Sequence, residues 1–282
     1  MHRETLFQCP NCAKALIKGE KQYFCPNGHS FDIARKGYVN LLLPSHTGSG
    51  KPGDTREMLF SRREFLDKGY YEAFSNKLND VVLSTLSIGK EREKGVSILD
   101  AGCGAGYYIS RLKDRLRDFY PDDRISLYGI DVAKQAIHYA AGRDKDIFFA
   151  VASNYHVPIL EGAMDCIMCI FAPRDERQFR RILKPSGLLI VAAPGPWHLY
   201  SFKQVLYENP DVIGQRGNVY EGFKLLEQSN IHYGILLKSK EDILNLFMMT
   251  PYSRHAEKGI LEYLNEFRTE VDINIFVYQK TE

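Results

Sequence analysis

Three cysteines and one histidine form two close pairs near the start of the chain, and they constrain its fold more than any other feature. The first pair is Cys9 and Cys12 in CPNC, and the second is Cys25 and His29 in CPNGH. Two such pairs separated by a short loop can surround one tetrahedral Zn²⁺. Proline fixes φ in each motif, and asparagine or glycine suits a tight turn. A module of this size cannot bury a core, so metal binding would supply its folding energy.

The six cysteines of the chain also raise the alternatives of disulfides and of free structural thiols. The polar start does not resemble a signal peptide, and no apolar run reaches the length of a membrane span. We therefore expect a cytoplasmic protein with no membrane partner, in which thiols stay reduced and close cysteine pairs bind metal. Cys166 and Cys169 form another CxxC, but residues three apart on their predicted strand point to opposite faces. We expect these two thiols to be buried as small apolar side chains.

From residue 96 the sequence alternates between short apolar strands and helices. Strands are predicted at 96–100, 126–131, 147–151, 164–171 and 188–193, with later ones at 231–237 and 271–279. Helices are predicted at about 56–67, 71–86 and 107–119, with a further one ending near 141. This alternation predicts an α/β, Rossmann-like fold in which helices cover both faces of a mostly parallel, seven-stranded sheet.

The first strand of this unit runs into a glycine-rich turn, ILDAGCGAG, at residues 98–106. Its glycines, which let the backbone turn sharply and approach a ligand, are Gly102, Gly104 and Gly106. Their G-x-G-x-G spacing differs from the G-x-G-x-x-G of dinucleotide enzymes, and an ordinary tight turn is the alternative. Asp100 would repel a pyrophosphate but suits a cationic amino group, and Asp131 ends the second strand, where a carboxylate can accept ribose hydroxyls. Together they favour S-adenosylmethionine over NAD as the cofactor.

Nine landmarks run through nearly the whole chain in one order. They are CPNC (9–12), CPNGH (25–29), F-D-x-A-x-x-G-Y-V-N-L-L (31–42), P-G-D (52–54), R-R-x-F-L (62–66), L-D-A-G-C-G-A-G-Y-Y (99–108), F-A-P (171–173), P-G-P-x-H-L (194–199) and M-T-P (249–251). With them the chain resembles the bacterial 23S rRNA guanine-N1-methyltransferases of the RlmA type. The resemblance implies methylation of a guanine at N1 in a 23S rRNA hairpin, a homodimer that holds this hairpin in a cleft, and a link to the response to macrolide-type antibiotics.

The resemblance also implies a class I methyltransferase fold behind an N-terminal zinc module. We predict a zinc-binding RNA-recognition module at residues 1–43, a linker and helices at 44–90, and the S-adenosylmethionine-dependent methyltransferase domain at 91–282. Residues 31–43 are expected to pack the zinc module against itself or against a partner.

Site residues follow from the matching motifs and from the residues themselves. The resemblance assigns one structural zinc ion to Cys9, Cys12, Cys25 and His29. It assigns cofactor contacts to Tyr71, Gly104, Ala105 and His198, to which the physical argument adds Asp100, Gly102, Gly106 and Asp131. As alternatives, Tyr71 could cover the edge of the core, and His198 could be a hydrogen-bonded loop residue.

Guanine N1 carries a proton at neutral pH, so a general base is expected. The candidate catalytic residues are His198, Phe171 and Asp165, although Asp165 lies deep in the predicted fold. His156 and Asp175 are further candidates for the base. We expect Phe171 or Trp197 to stack on the target base, since RNA-binding proteins commonly capture unpaired bases on aromatic rings.

A mild basic excess near the start of the chain is compatible with RNA contact. Residues 1–63 hold ten Lys and Arg against five Asp and Glu. We assign RNA binding to Lys51, Arg56, Arg62 and Arg63, with the zinc module's Lys14, Lys18 and Lys21. The alternative for these residues is a solvated basic face.

Two other functions remain open at this point. A methyltransferase of this fold could act on a small molecule, because the fold does not decide the substrate. A nonenzymatic, zinc-dependent RNA-binding protein could retain the same fold as a relic. The zinc module argues against the first alternative, and the intact glycine turn with Asp131 argues against the second.

Overall fold

The computed structural model describes residues 3–46, 54–88, 95–208, 210, 219–256 and 259–281. Lys51, one of the residues predicted to contact RNA, lies outside the described residues. Among the described residues, no helix combines the length and the apolar character needed to cross a membrane.

The N-terminal residues form a small antiparallel sheet with strands in sequence order. Its strands are β1 (Arg3–Gln8), β2 (Ala15–Lys18), β3 (Gln22–Phe24) and β4 (Ser30–Asp32). Phe7 is fully buried and meets Tyr23 of this sheet and Tyr128 of the larger unit edge to face, with ring centroids 5.9 and 5.1 Å away. The small sheet therefore shares an apolar interface with the larger unit.

In the part of the chain that the structure describes, the main sheet has eight strands. They are β5 (Val39–Asn40), β6 (Val96–Ala101), β7 (Ile125–Asp131), β8 (Phe148–Val151), β9 (Met164–Ile170), β10 (Leu183–Pro194), β11 (Phe223–Leu237) and β12 (Phe267–Lys280). Their order is β11-β12-β10-β9-β6-β7-β8-β5. Strands β5 to β10 pair in parallel, whereas β12 is antiparallel to both β10 and β11.

The seven predicted strands are all present, and β5 is an addition. The sequence predicts that residues 31–43 pack against the zinc module or a partner, but Val39 and Asn40 pair with Ala150 and Val151 of β8. This pairing forms because Val39 is a β-branched residue that is fully buried at the sheet edge.

Helices connect and cover the strands. They are α1 (Arg56–Asp67), α2 (Glu72–Ile88), α3 (Tyr107–Leu116), α4 (Lys134–Arg143), α5 (Glu176–Ile182), α6 (Tyr200–Leu206) and α7 (Lys240–Met249). Helix α1 begins where the sequence predicts, because the Thr55 hydroxyl caps it by accepting the Met58 N–H at 3.2 Å.

The core consists of two apolar layers, one on each face of the main sheet. Cys166 belongs to one layer and Cys169 to the other, and both are fully buried. Burial raises the pKa of Cys169 to about 12 and that of Cys166 further still. The two thiols therefore act as apolar side chains on opposite faces, as the sequence predicts.

Candidate functional site

The glycine turn lies at the carboxyl end of β6 and is tied to the end of β7. The Gly102 N–H donates to the Ile130 carbonyl at 2.8 Å. The Asp131 carboxylate accepts the Gly104 N–H at 3.0 Å through one oxygen and the Ala133 N–H at 2.8 Å through the other. Asp131 thus fixes the turn and the start of the following loop together.

The three glycines of the turn have different roles. A Cβ on Gly102 would lie 2.5 Å from the Ala172 Cβ, and one on Gly106 would lie 3.0 Å from the Ala140 Cβ. A Cβ on Gly104, in contrast, would meet nothing within 4 Å among the described atoms, although its φ of +54° still favours glycine. Gly102 and Gly106 therefore allow close packing, while the turn opens into free space at Gly104.

Asp100 is 1% exposed, and both of its carboxyl oxygens lack a hydrogen-bond partner among the described residues. Burial, with a smaller contribution from the nearby Asp131 charge, raises the pKa of Asp100 to about 8. An unpaired buried carboxylate is costly, so this position suits a cation. The amino group of S-adenosylmethionine is such a cation. Ala105 lies half-buried in the same turn, and its carbonyl accepts from the Arg143 guanidinium at 3.2 Å.

Tyr71 and His198, predicted as cofactor contacts, form a buried pair. The Tyr71 Oη lies 3.2 Å from His198 Nε2, and the Asp272 backbone N–H donates to His198 Nδ1 at 3.2 Å. An imidazole that accepts at Nδ1 while neutral carries its proton at Nε2, so we assign a donor bond to Tyr71. Burial, with the Lys203 charge second, lowers the pKa of His198 to about 4. Both nitrogens are occupied, so His198 is a poor candidate for the general base.

Two exposed aromatic rings flank this histidine. Phe171 has a φ of +52°, is 41% exposed, and stacks on His198 with ring centroids 6.0 Å apart. Phe74 supports the Phe171 ring at 5.8 Å. Trp197 is 48% exposed and meets Tyr200 edge to face at 5.3 Å. Both exposed rings lie beyond the carboxyl ends of β9 and β10, where substrates bind in open parallel sheets.

Asp165 lies at the other end of the parallel strands, away from the glycine turn. It is level with Ser97 at the amino ends of the parallel strands β9 and β6, and its carboxylate accepts the Ser97 N–H at 2.8 Å and the Lys184 ammonium at 2.8 Å. This position argues against Asp165 as the general base. His156 and Asp175 follow β8 and β9 at the carboxyl edge and stay candidates.

Two of the arginines predicted to bind RNA are engaged within the protein. Arg62 pairs with Asp54 and donates to the Met249 carbonyl at 2.8 Å. The Arg63 guanidinium lies over the Tyr139 ring, 4.8 Å from its centroid. These contacts attach α1 to α4 and α7, so they support a structural role.

The remaining basic residues divide by exposure. Arg56, Lys14 and Lys21 are exposed. Lys18 is half-buried, with its ammonium 5.3 Å from the centroid of the Phe148 ring. Arg56 and the two exposed lysines are therefore the predicted contacts best placed to reach a phosphate.

The Cys and His side chains of the small sheet converge. Their ligand atoms all lie within 4.8 Å of one another, with His29 Nδ1 at 3.4 Å from Cys25 Sγ and 3.7 Å from Cys9 Sγ. Cys12 Sγ lies 3.6 Å from Cys25 Sγ, and ligands at about 2.3 Å in a tetrahedron would be about 3.8 Å apart. Gly28, with a φ of +82°, closes the second turn by donating to the Cys25 carbonyl at 3.0 Å. The four residues fit one zinc ion.

Sequence reasoning missed Asp272 on β12. It is 3% exposed, and its carboxylate accepts the Trp197 N–H at 2.8 Å and an Asn230 side-chain N–H at 2.7 Å. The sequence contains a signal for it, because Asp272 and Asn274 are the two polar residues in the otherwise apolar run at 271–278.

The Rossmann-like sheet, the glycine turn with its two carboxylates and the Cys₃His cluster define an S-adenosylmethionine-dependent methyltransferase with an N-terminal zinc ribbon. Two family models agree with this class. Residues 98–187 match the family described as "Methyltransferase domain", and residues 7–50 match the zinc-ribbon family described as "RlmA, N-terminal".

Curated relatives identify the family. A protein of Micromonospora griseorubida, provisionally named 23S rRNA (guanine-N(1)-)-methyltransferase, is 34% identical over 93% of this chain and 92% of its own. The 23S rRNA (guanine(748)-N(1))-methyltransferase of Streptomyces fradiae is 33% identical over 68% of this chain and 64% of its own. YxjB of Bacillus subtilis, also provisionally named as such an enzyme, is 28% identical over 98% of both chains. The chain belongs to the family of 23S rRNA (guanine-N1)-methyltransferases.

Proposed function

We propose that this protein transfers the methyl group of S-adenosylmethionine to N1 of a guanine in a 23S rRNA hairpin. The observation that carries the proposal is the 34% identity to the M. griseorubida relative across 92% of that protein. The unpaired, buried carboxyl of Asp100 supports it, because it suits a cofactor that brings a cationic amino group.

The cofactor would lie along the glycine turn. Asp100 would receive its amino group, and the backbone at Gly104 and Ala105 would approach it where the turn is open. Asp131 would accept the ribose hydroxyls, since a carboxylate offers about four acceptor positions and two are used by backbone N–H groups. When bound, S-adenosylmethionine supplies a methyl group activated by its sulfonium charge.

The protein would align guanine N1 with the methyl group and would keep other positive charge away from the sulfonium. Guanine N1 would receive the methyl group of the bound cofactor, and the N1 proton would pass to a base or to water. His198, with its pKa lowered to about 4, stays neutral near pH 7. Because it is neutral, the buried His198 beside Tyr71 would not repel a sulfonium.

The target guanine would be captured on the exposed rings of Phe171 and Trp197. Stacking on an aromatic face holds an unpaired base while its Watson–Crick edge, which includes N1, stays accessible. The zinc ribbon at residues 1–43 would contact the RNA through Lys14 and Lys21, and Arg56 would extend this contact. We propose the remaining boundaries, 44–90 and 91–282, as the linker and the catalytic domain.

The proposal extends to assembly and location. We propose a homodimer acting on 23S rRNA in the cytoplasm. Light scattering after size-exclusion chromatography, with and without the rRNA hairpin, would test the dimer. A monomer in both samples would contradict this part and leave the methyl transfer intact.

The proposed activity is tested with radiolabelled S-adenosylmethionine, the purified protein and unmodified 23S rRNA, followed by nucleoside analysis. The expected product is 1-methylguanosine, lost after removal of zinc and in Asp131→Ala, and the digest maps the modified guanine. Cofactor binding without label in RNA would contradict the proposal and favour a small-molecule substrate or a binding role.

A further inference from the structure

Asp272 contacts the turn at residues 195–198 at several points. Its carboxylate accepts the Trp197 N–H at 2.8 Å, and its backbone carbonyl accepts the Gly195 N–H at 2.7 Å. Its backbone N–H donates to His198 Nδ1 at 3.2 Å. A Cβ on Gly195 would lie 2.4 Å from the Asp272 Cγ, so the turn can approach this carboxylate only because residue 195 is glycine.

The surroundings of this carboxylate require two acceptors. One oxygen faces the Trp197 N–H and the other faces an Asn230 side-chain N–H at 2.7 Å. An asparagine at position 272 would offer one acceptor and one donor, so it could keep both contacts only if the Asn230 and Asn274 amides rotated together. It would also lose the negative charge that strengthens both bonds in a site that is 3% exposed. The geometry therefore distinguishes Asp from its closest neutral analogue.

We propose that Asp272 is a positioning residue for methyl transfer, which rests on the function proposed above. It holds the 195–198 turn so that the Trp197 ring is presented, 48% exposed, to the target base. Its backbone N–H also holds His198 in the tautomer that donates to Tyr71, and a side-chain substitution keeps this donor. A turn fixed before RNA binds loses less conformational entropy when the base stacks.

The test uses Trp197 as its own reporter, because it is the chain's single tryptophan. In Asp272→Asn we expect a shifted tryptophan emission maximum and a kcat for RNA methylation roughly 10- to 100-fold lower, while the Kd for S-adenosylmethionine changes less than about threefold. Asn274→Ala is the matched control. It loosens the same polar cluster, in which Asn274 accepts from Asn230 at 3.0 Å, and it should leave emission and kcat near wild type.

A charge swap separates positioning from general stability. In Asp272→Asn combined with Asn230→Asp, the new amide donates to residue 230 and its oxygen accepts the Trp197 N–H, while the Asn274 amide can rotate to present its N–H. We expect this double variant to restore wild-type emission and most of the kcat. A folded double variant that behaves like Asp272→Asn would overturn the proposal.

Gly195→Ala disrupts the close approach between the turn and the Asp272 carboxylate from the side of the turn. It tests the proposal if the position-272 variants do not fold. It should shift the emission and lower kcat, and normal values in both would overturn the proposal. Failure of the proposed function can be distinguished from failure of this proposal. The tryptophan emission of each variant can be compared with that of the wild type even if the wild-type protein methylates no RNA.

Discussion

The carboxylate of Asp131, which ends β7, holds the Gly104 N–H of the turn that ends β6 at 3.0 Å. The residue proposed to bind the ribose therefore also shapes the backbone proposed to receive the rest of the cofactor. Burial raises the pKa of Asp131, and the backbone N–H bonds from Ala133 and Gly104 oppose that rise and favour the carboxylate.

Replacing Asp131 should weaken the cofactor site in two ways at once. In Asp131→Ala the turn loses its anchor and the ribose loses its acceptors, so we expect the Kd for S-adenosylmethionine to rise about tenfold or more. Calorimetry measures this change. Asp123→Ala, at an exposed position before β7, is the control and should bind normally. An unchanged Kd in Asp131→Ala would contradict this role.

Arg56 and Arg63 should separate RNA contact from folding. Arg56 is exposed, so Arg56→Ala should lower RNA affinity and reduce the slope of log K against log salt by about 0.7 to 0.9. Arg63 lies over the Tyr139 ring, so Arg63→Ala should lower the melting temperature and leave the slope unchanged. Salt titrations of RNA binding and thermal melts measure both. A reduced slope in Arg63→Ala together with an unchanged slope in Arg56→Ala would show that Arg63 contacts RNA and that Arg56 does not.

Most elements predicted from local pattern agree with the structure. Helix α1 follows from its Thr55 cap, and β6 to β10 and β12 contain the predicted apolar runs. Strand β11 begins at Phe223, ahead of the predicted 231–237, because its exposed first half has no apolar run. The glycine turn and Asp131 were predictable because both end parallel strands, whose carboxyl ends meet at one edge of the sheet.

The sequence does not reveal contacts between residues that lie far apart along the chain. Arg62 binds the Met249 carbonyl, 187 residues away, and the Asp272 carboxylate binds the Trp197 N–H, 75 residues away. Neither contact leaves a periodic pattern in the sequence. The sequence itself already argues against Asp165 as a base, because the strand predicted at 164–171 places Asp165 at its amino end.

Phe171 and Trp197 should affect RNA turnover more than cofactor binding. Base stacking contributes about 1 to 3 kcal/mol per base, so Phe171→Ala and Trp197→Ala should each lower kcat/KM for RNA by roughly 5- to 150-fold. Methylation assays on the rRNA hairpin measure this loss. Phe119→Ala, which removes an exposed aromatic ring after α3, is the control. The stacking proposal is wrong if both variants keep wild-type turnover and RNA affinity.

Asp100 should make both stability and cofactor binding depend on pH. Its pKa is raised to about 8 in the folded protein, against about 4 in an unfolded chain. Between these values the folded state holds a proton that the unfolded state has lost, so the stability of the cofactor-free protein falls as pH rises from about 4 to 8. Binding of a cationic amino group favours the carboxylate, so affinity for S-adenosylmethionine should increase toward pH 8.

Asp100→Asn should uncouple these two effects. The amide cannot ionise, so cofactor-free Asp100→Asn should melt at a higher temperature than the wild type at pH 8, and the difference should shrink toward pH 5. The same variant should bind S-adenosylmethionine at least about tenfold more weakly, because the amide carries no charge to pair with the amino group. Melting curves and calorimetry at pH 5, 6.5 and 8 measure both properties. A variant that loses stability at pH 8 yet binds normally would show that Asp100 supports the fold without receiving the cofactor.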